Sequence, residues 1–138
     1  MSSDVPYQDA RSLFTAANLV APALVEWENE PFAEPVADPA QMWVSVECYS
    51  RVLTPLEMAG GVWQEEGTVL FHVVTPQNTG SDAARVLAKN IANVYRGLGQ
   101  RQVVYRNAAI GRNVATDPQG AWWVLTVSVD WIYQDIDT

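Results

Sequence analysis

The stretch that most restricts the fold is AWWVLTVSVDWIYQD, residues 121 to 135. Trp123, Leu125, Val127, Val129, Trp131 and Tyr133 occupy every second position, so an extended chain here carries a continuous apolar face. Such a strand is stable only inside a sheet with one side covered. MWVSVECYSRVL, residues 42 to 53, alternates as well. Its period predicts Val44, Val46, Cys48 and Val52 on one face, with Trp43, Ser45, Glu47, Tyr49 and Arg51 on the other. TVLFHVV, residues 68 to 74, is apolar on both faces except at His72, which predicts a central strand. QVVYRNAAIG, residues 102 to 111, supplies a further strand, and Asp117-Pro118-Gln119-Gly120 places Pro and Gly where a tight turn needs them.

Two segments have helical period instead. Ala10, Leu13, Phe14, Ala17 and Val20 recur at steps of three and four, predicting a helix over 5–20, with Ser3 or Asp4 as cap and Pro22 as terminator. Ala84, Leu87, Ala88, Ile91, Val94 and Tyr95 form the apolar stripe of a second helix over 80–96, stopped by Gly97 in a left-handed conformation. A short strand is expected over 23–27, followed by an acidic, proline-rich link. TPLEMAGGVWQEEG, residues 54 to 67, reads as a long connection at the tip of a hairpin. The order is helix, short strand, hairpin, helix, hairpin. That predicts an α+β fold: a mostly antiparallel sheet of two hairpins plus a short strand, with two helices packed on one face, in a single domain over 1–138.

Several chemistries are argued against by the residues themselves. A strand, a loop with Gly80 and then a helix is a layout that can hold phosphate, but no Gly-Lys-Ser/Thr follows and the glycines of a dinucleotide loop are missing. Asp82 in the first helical turn already complements the helix dipole and repels a second anion; Thr79 and Asp82 resemble a weak capping box. His72 is the only histidine and has no nucleophile in a triad-like context. Cys48 is the only cysteine, sits on an apolar face and has no basic flank to activate it. One Cys and one His do not make a zinc site, and Glu26, Glu28, Glu30, Glu34 and Asp38 lack calcium-loop spacing. No catalytic, cofactor-binding or metal residue is therefore expected, and the acidic run reads as a solvated link. No apolar run is long enough for a membrane span, and MSSDVPYQDARS has no signal-peptide pattern.

Charge and aromatic content suggest surfaces instead of a pocket. The net charge of −8 disfavours general nucleic-acid binding. It is uneven: residues 1 to 66 hold 11 acids and 2 bases, and residues 67 to 138 hold 5 acids and 6 bases. Arg85, Lys89 and Arg96 share one side of the second helix, either a solvated face or a surface meeting an acidic neighbour or passing DNA. Met58, Val62 and Trp63, with Glu65 and Glu66, lie in the long connection. They form either a partner surface at a hairpin tip or, for Val62 and Trp63, an early start of the next strand.

These features together resemble the bacteriophage tail terminator, or tail completion, family. LVEWENEPFAEP after the first helix is similar to a segment with Trp, Asn, Phe and Pro common in that group. WVSVECYSRVL matches its first long strand. EEGTVLFHVVTPQNTGSDAARVLAKNIANVYRG looks like its signature run of Gly, valine-rich strand, Thr-Gly-type loop, alanine-rich helix and closing Arg-Gly. The paired C-terminal strands complete the likeness; Glu30, Glu34 and PLEMAGGVWQEEG are not among the features that carry it.

The resemblance implies a structural virion protein and not an enzyme. It implies a homohexameric ring that caps the tail tube, ends its polymerisation and joins it to the head-side connector. The implied partners are further copies of the chain, the tail tube protein, a head–tail connector or neck protein, and DNA passing through the lumen without sequence-specific binding. The implied location is the tail–neck junction of the virion, with the host cytoplasm as the place of assembly. Another neck or tail component, such as a head-closure or tail tube protein, is the second reading. A small ligand-binding domain or enzyme using His72 or the acidic link is the third.

Overall fold

The structure, a computed structural model, describes residues 4–33, 41–56, 61–76, 80–98, 101–112 and 122–136. In chain order the elements are α1 (Asp4–Ala17), a 3-10 turn (Pro22–Leu24), β1 (Val25–Glu26), β2 (Trp43–Pro55), β3 (Val62–Pro76), α2 (Asp82–Val94), β4 (Val103–Arg112) and β5 (Trp122–Ile136). The strands form one sheet in the order β1-β2-β3-β5-β4. Only β1 and β2 run parallel; β2–β3, β3–β5 and β4–β5 are antiparallel. The fold is thus α+β, with two hairpins plus a short strand. The apolar run 68–74 lies within the central strand, as its composition predicts.

Alternation explains which face is covered. Val69, Phe71 and Val73 of β3 stand level with Val44 and Val46 of β2 and with Leu125, Val127 and Val129 of β5. This face packs on the helices through Ala10 and Phe14 of α1 and Ala84, Leu87, Ala88, Ile91 and Ala92 of α2. Edge-on and stacked rings run through the layer: Trp27 to Phe14 (5.8 Å), Phe14 to Phe71 (5.2 Å), Phe71 to Tyr95 (5.5 Å) and Tyr95 to Tyr105 (4.8 Å). The buried Tyr95 hydroxyl donates to the Ala10 carbonyl at 2.8 Å, tying the end of α2 to α1. On the opposite face Trp43, Val74 and Trp122 form a smaller cluster with Phe32 and Val124.

The structure corrects several boundaries. α1 ends at Ala17 because Asn18 turns left-handed (φ 51°), a conformation Asn tolerates, so Pro22 is not its terminator. α2 begins at Asp82, and Ser81 makes no side-chain cap; Thr79 lies outside the described residues. Gly97 has φ 62°, the left-handed stop its position predicts. β1 is only two residues long. The largest correction concerns residues 54–67. They are not a long connection: β2 continues to Pro55, and β3 starts at Val62 and pairs back along it. β5 holds the other side of this segment, from Val62 opposite Ile136 to Gly67 opposite Trp131, so pairing on two flanks overrides a composition poor in strand formers. The Asp117–Gly120 turn lies outside the described residues.

A bulge corrects the phase of β2. Ser50 pairs with Gly67 but Val52 pairs with Glu66, so one extra residue is inserted at Arg51. The insertion exchanges the faces beyond it. Val52 therefore leaves the face of Val44 and Val46 and joins the opposite one, where it is exposed. At the bulge, Gly67 is required for space. A Cβ there would stand 2.2 Å from the Tyr49 carbonyl oxygen and 2.3 Å from Cζ2 of the Trp131 indole.

Candidate functional site

The polar residues sort into clamps that hold the fold and surfaces that face outward. Three clamps went unread in the sequence. The Glu28 carboxylate, carried by the turn after β1, accepts the Cys48 backbone N–H at the edge of β2. Glu30 accepts from both guanidinium nitrogens of Arg11, which also lies 4.6 Å over the Trp27 ring. That pairing raises the pKa of Arg11 and lowers that of Glu30. Asp9 of α1 accepts from Arg101 (2.6 Å) and from the Tyr105 hydroxyl (2.7 Å), fixing the start of β4. Burial and the Asp9 hydrogen bond both push the Tyr105 hydroxyl well above its usual range. Glu28 and Glu30 are therefore not parts of a merely solvated link. Their alternate spacing around Asn29, left-handed at φ 54°, was the available signal.

The candidate chemical groups are held structurally. His72 stands on the sheet face opposite the helices, with Nδ1 2.9 Å from Thr126 Oγ1 and Nε2 3.3 Å from Glu47 Oε2. Thr68 donates to Asp130 on the same face at 2.9 Å. The Cys48 thiol is pushed up to about 12, first by burial and then by the charge of Glu28, which keeps it protonated and unreactive near neutral pH. Among the described residues there is no cluster of three or more His, Cys, Asp or Glu suited to a metal ion, and no helix long and apolar enough to cross a membrane.

The proposed surface residues fall on two elements. Arg85 and Lys89 are exposed on the side of α2 turned away from the sheet, near exposed Val86; α2 ends at Val94, short of the predicted residue 96, so Arg96 is exposed in the turn that follows it. Arg85 Nε donates to Ser81 Oγ at 3.2 Å and Arg96 to Asn93 Oδ1 at 3.1 Å. Val62, Trp63, Glu65 and Glu66 belong to the first half of β3 and are not loop residues. Val62, Trp63 and Glu66 are half-buried. Glu66 accepts from Gln64 at 3.2 Å. Glu65 is turned to the helix-bearing face and is only 5% exposed. Met58 lies outside the described residues.

Comparison with known proteins gives these surfaces a setting. A family model described as phage tail terminator protein matches residues 10–131. No curated protein matches the sequence. A solved structure aligns with TM-score 0.60 over 95% of this chain and 98% of its own, at 23% identity, a likeness of fold alone.

Proposed function

The chain belongs to the phage tail terminator protein family, and on that premise we propose that its copies close into a six-fold ring on the end of the tail tube. The ring caps the tube at full length, ends its polymerisation and presents its far side to the head-side connector. DNA passes through the lumen without sequence-specific contact. The protein is structural: it assembles in the host cytoplasm and resides at the tail–neck junction of the virion. The observation that carries this reading is the match over residues 10–131, which takes in more than half of α1, all of α2 and most of the sheet.

Two surfaces support it. A ring built head to tail needs two different complementary patches on each subunit. The acidic first half of the chain and the basic side of α2 differ in sign as such patches should, and the first half of β3, with Val62, Trp63 and Glu66, is a second contact region. Arg85, Lys89 and Arg96 meet an acidic neighbour or the passing DNA.

Negative-stain images of the purified protein, alone and mixed with tail tube protein, test the reading. Six-fold rings, seated on tube ends in the mixture, are the expected result; stable monomers in both samples overturn it. Depleting the protein during infection should leave tubes of uncontrolled length. Absence of tubes would instead mark it as a tube component. Reversing Arg85 and Lys89 to Glu should reduce assembly or DNA passage with stability unchanged within about 0.5 kcal/mol, since both side chains are exposed.

A further inference from the structure

Seven large hydrophobic side chains are exposed among the described residues, and six of them lie along the two edges of the sheet. Tyr49, Val52, Leu53 and Leu56, 42% to 49% exposed, belong to β2 and the residue after it. Val104 and Ile110, 41% and 40% exposed, belong to β4. A monomer normally blunts a sheet edge with charge, proline or bulges; both edges here carry such devices, yet each also exposes large apolar side chains.

The free backbone can be counted. β1 covers β2 only at Val44 and Ser45, and Glu28 caps the Cys48 N–H. Residues 49–55 therefore have no strand on their outer side among the described residues. Since Cys48 N–H points outward, so does that of Ser50 two residues on. Beyond the bulge, Leu56 donates inward to the Val62 carbonyl at 2.9 Å, which leaves Leu53 and Pro55 facing outward. Pro55, lacking an N–H, occupies a position that only an edge allows. The same alternation carried across β3 and β5 turns Ala108 and Ile110 outward on β4.

Direction and charge select the partner. β2 is antiparallel to β3, β3 to β5 and β5 to β4, so β4 runs opposite to β2. A second copy set beside the first in the same orientation thus brings β4 against β2 in antiparallel fashion, with both helical layers on one side. Asp4 and Glu28 line the cleft beside Tyr49 and Ser50, and Glu47 is exposed nearby; Arg51, the one base of β2, is turned toward Asp130 at 3.9 Å. Residues 101–112 hold no acid; Arg101 is already paired with Asp9, which leaves Arg106 and Arg112 as the bases of β4. Like edges would set acid against acid or arginine against arginine, whereas unlike edges are complementary. Bulges in both strands, at Ser50/Val52 and Tyr105/Ala108, interrupt the two edges, so the regular runs open to pairing are short and open-ended accretion is discouraged.

We propose that residues 49–55 of β2 add to the free edge of β4 in a second copy of this chain, so that sheets continue head to tail from subunit to subunit. This pairing is the subunit contact of the ring proposed above and rests on that reading. Leu53→Pro tests it directly, because it removes an outward N–H and leaves the β3 ladder intact. The full-length variant should keep its circular dichroism and elute as a monomer, with half-assembly requiring at least about tenfold more protein than the wild type. A folded Leu53→Pro that still forms rings overturns the strand pairing while the ring reading stands; wild-type chains that stay monomeric alone and with tube protein overturn both. Should Leu53→Pro fail to fold, single cysteines decide. On a Cys48→Ser background, Leu53→Cys mixed with Ala108→Cys or Ile110→Cys should cross-link to dimers under oxidation, and neither variant should do so alone. No cross-link in the mixture, or an equal yield from Leu53→Cys alone, overturns the head-to-tail pairing.

Discussion

Gly67→Ala is the sharpest test of the packing described here. The added methyl would lie 2.2 Å from the Tyr49 carbonyl oxygen and 2.3 and 2.7 Å from two atoms of the Trp131 indole. Ordinary carbon contacts begin near about 3.5 Å, so the obstacle must retreat by about 1 Å. Neither obstacle is free to do so. The Tyr49 carbonyl is main chain at the bulge of β2, and Trp131 is 1% exposed. Forcing one methyl group into a packed interior costs about 1–3 kcal/mol. Replacing Gly by Ala in a strand returns about 0.5–1 kcal/mol by restricting the unfolded chain. With both neighbours rigid the net should fall near 2 kcal/mol of destabilisation, the upper part of that difference. For a chain of this length the thermal midpoint then drops by about 6–8 °C. Urea unfolding followed by tryptophan fluorescence measures it, at a concentration where both proteins have the same oligomeric state, because assembly adds stability of its own. Gly111→Ala is the control: nothing lies within 4 Å of the added Cβ and the backbone is not left-handed, so stability should hold or rise by about 0.5 kcal/mol. If Gly67→Ala matches the wild type, or both glycines behave alike, the steric account of the bulge is wrong.

Two further outcomes are expected. Tyr95→Phe removes the hydroxyl's bond to the Ala10 carbonyl, which keeps its helical partner four residues on, and should cost about 0.5–1.5 kcal/mol in the same unfolding assay, with the sheet unchanged by circular dichroism. Cys48, with its thiol pushed up to about 12, exposes about one thiolate in ten thousand at pH 8, so a disulfide reagent should label it far more slowly in the native protein than in urea, and faster as pH rises; native labelling at the rate of free cysteine would refute the burial that shifts it.

What the sequence revealed depended on whether local pattern and tertiary context agreed. The stripe of α2 and the alternation of β5 were legible because each repeats over many residues against a single covered face. Gly97 was legible because its conformation is set within one turn. The first half of β3 was hidden because its strand character comes from β2 and β5 on either side, while QEEG by itself suggests a loop. Val52 was assigned to the wrong face because a single inserted residue shifts the period and leaves no mark in the pattern. The spacing of Arg85 and Lys89 puts both on the exposed side of α2, whereas Arg96 follows the end of the helix, where helical spacing no longer applies. The edges of the sheet were not legible, since strand order cannot be read from alternation, and Glu28 shows its role only once β1 is seen beside β2.

The pairing order also fixes a timetable for folding. β2 and β3 are neighbours in sequence and form a local hairpin, but the second flank of β3 and the whole of β4's attachment depend on β5, which is synthesised last of the strands. Contacts this distant along the chain are slow to form. During translation the β2 edge can therefore exist before the β4 edge does. If β2 adds to β4 of a neighbour as proposed, a nascent chain presents one half of that contact before the other, and two nascent chains lack the means to join head to tail until β5 is made.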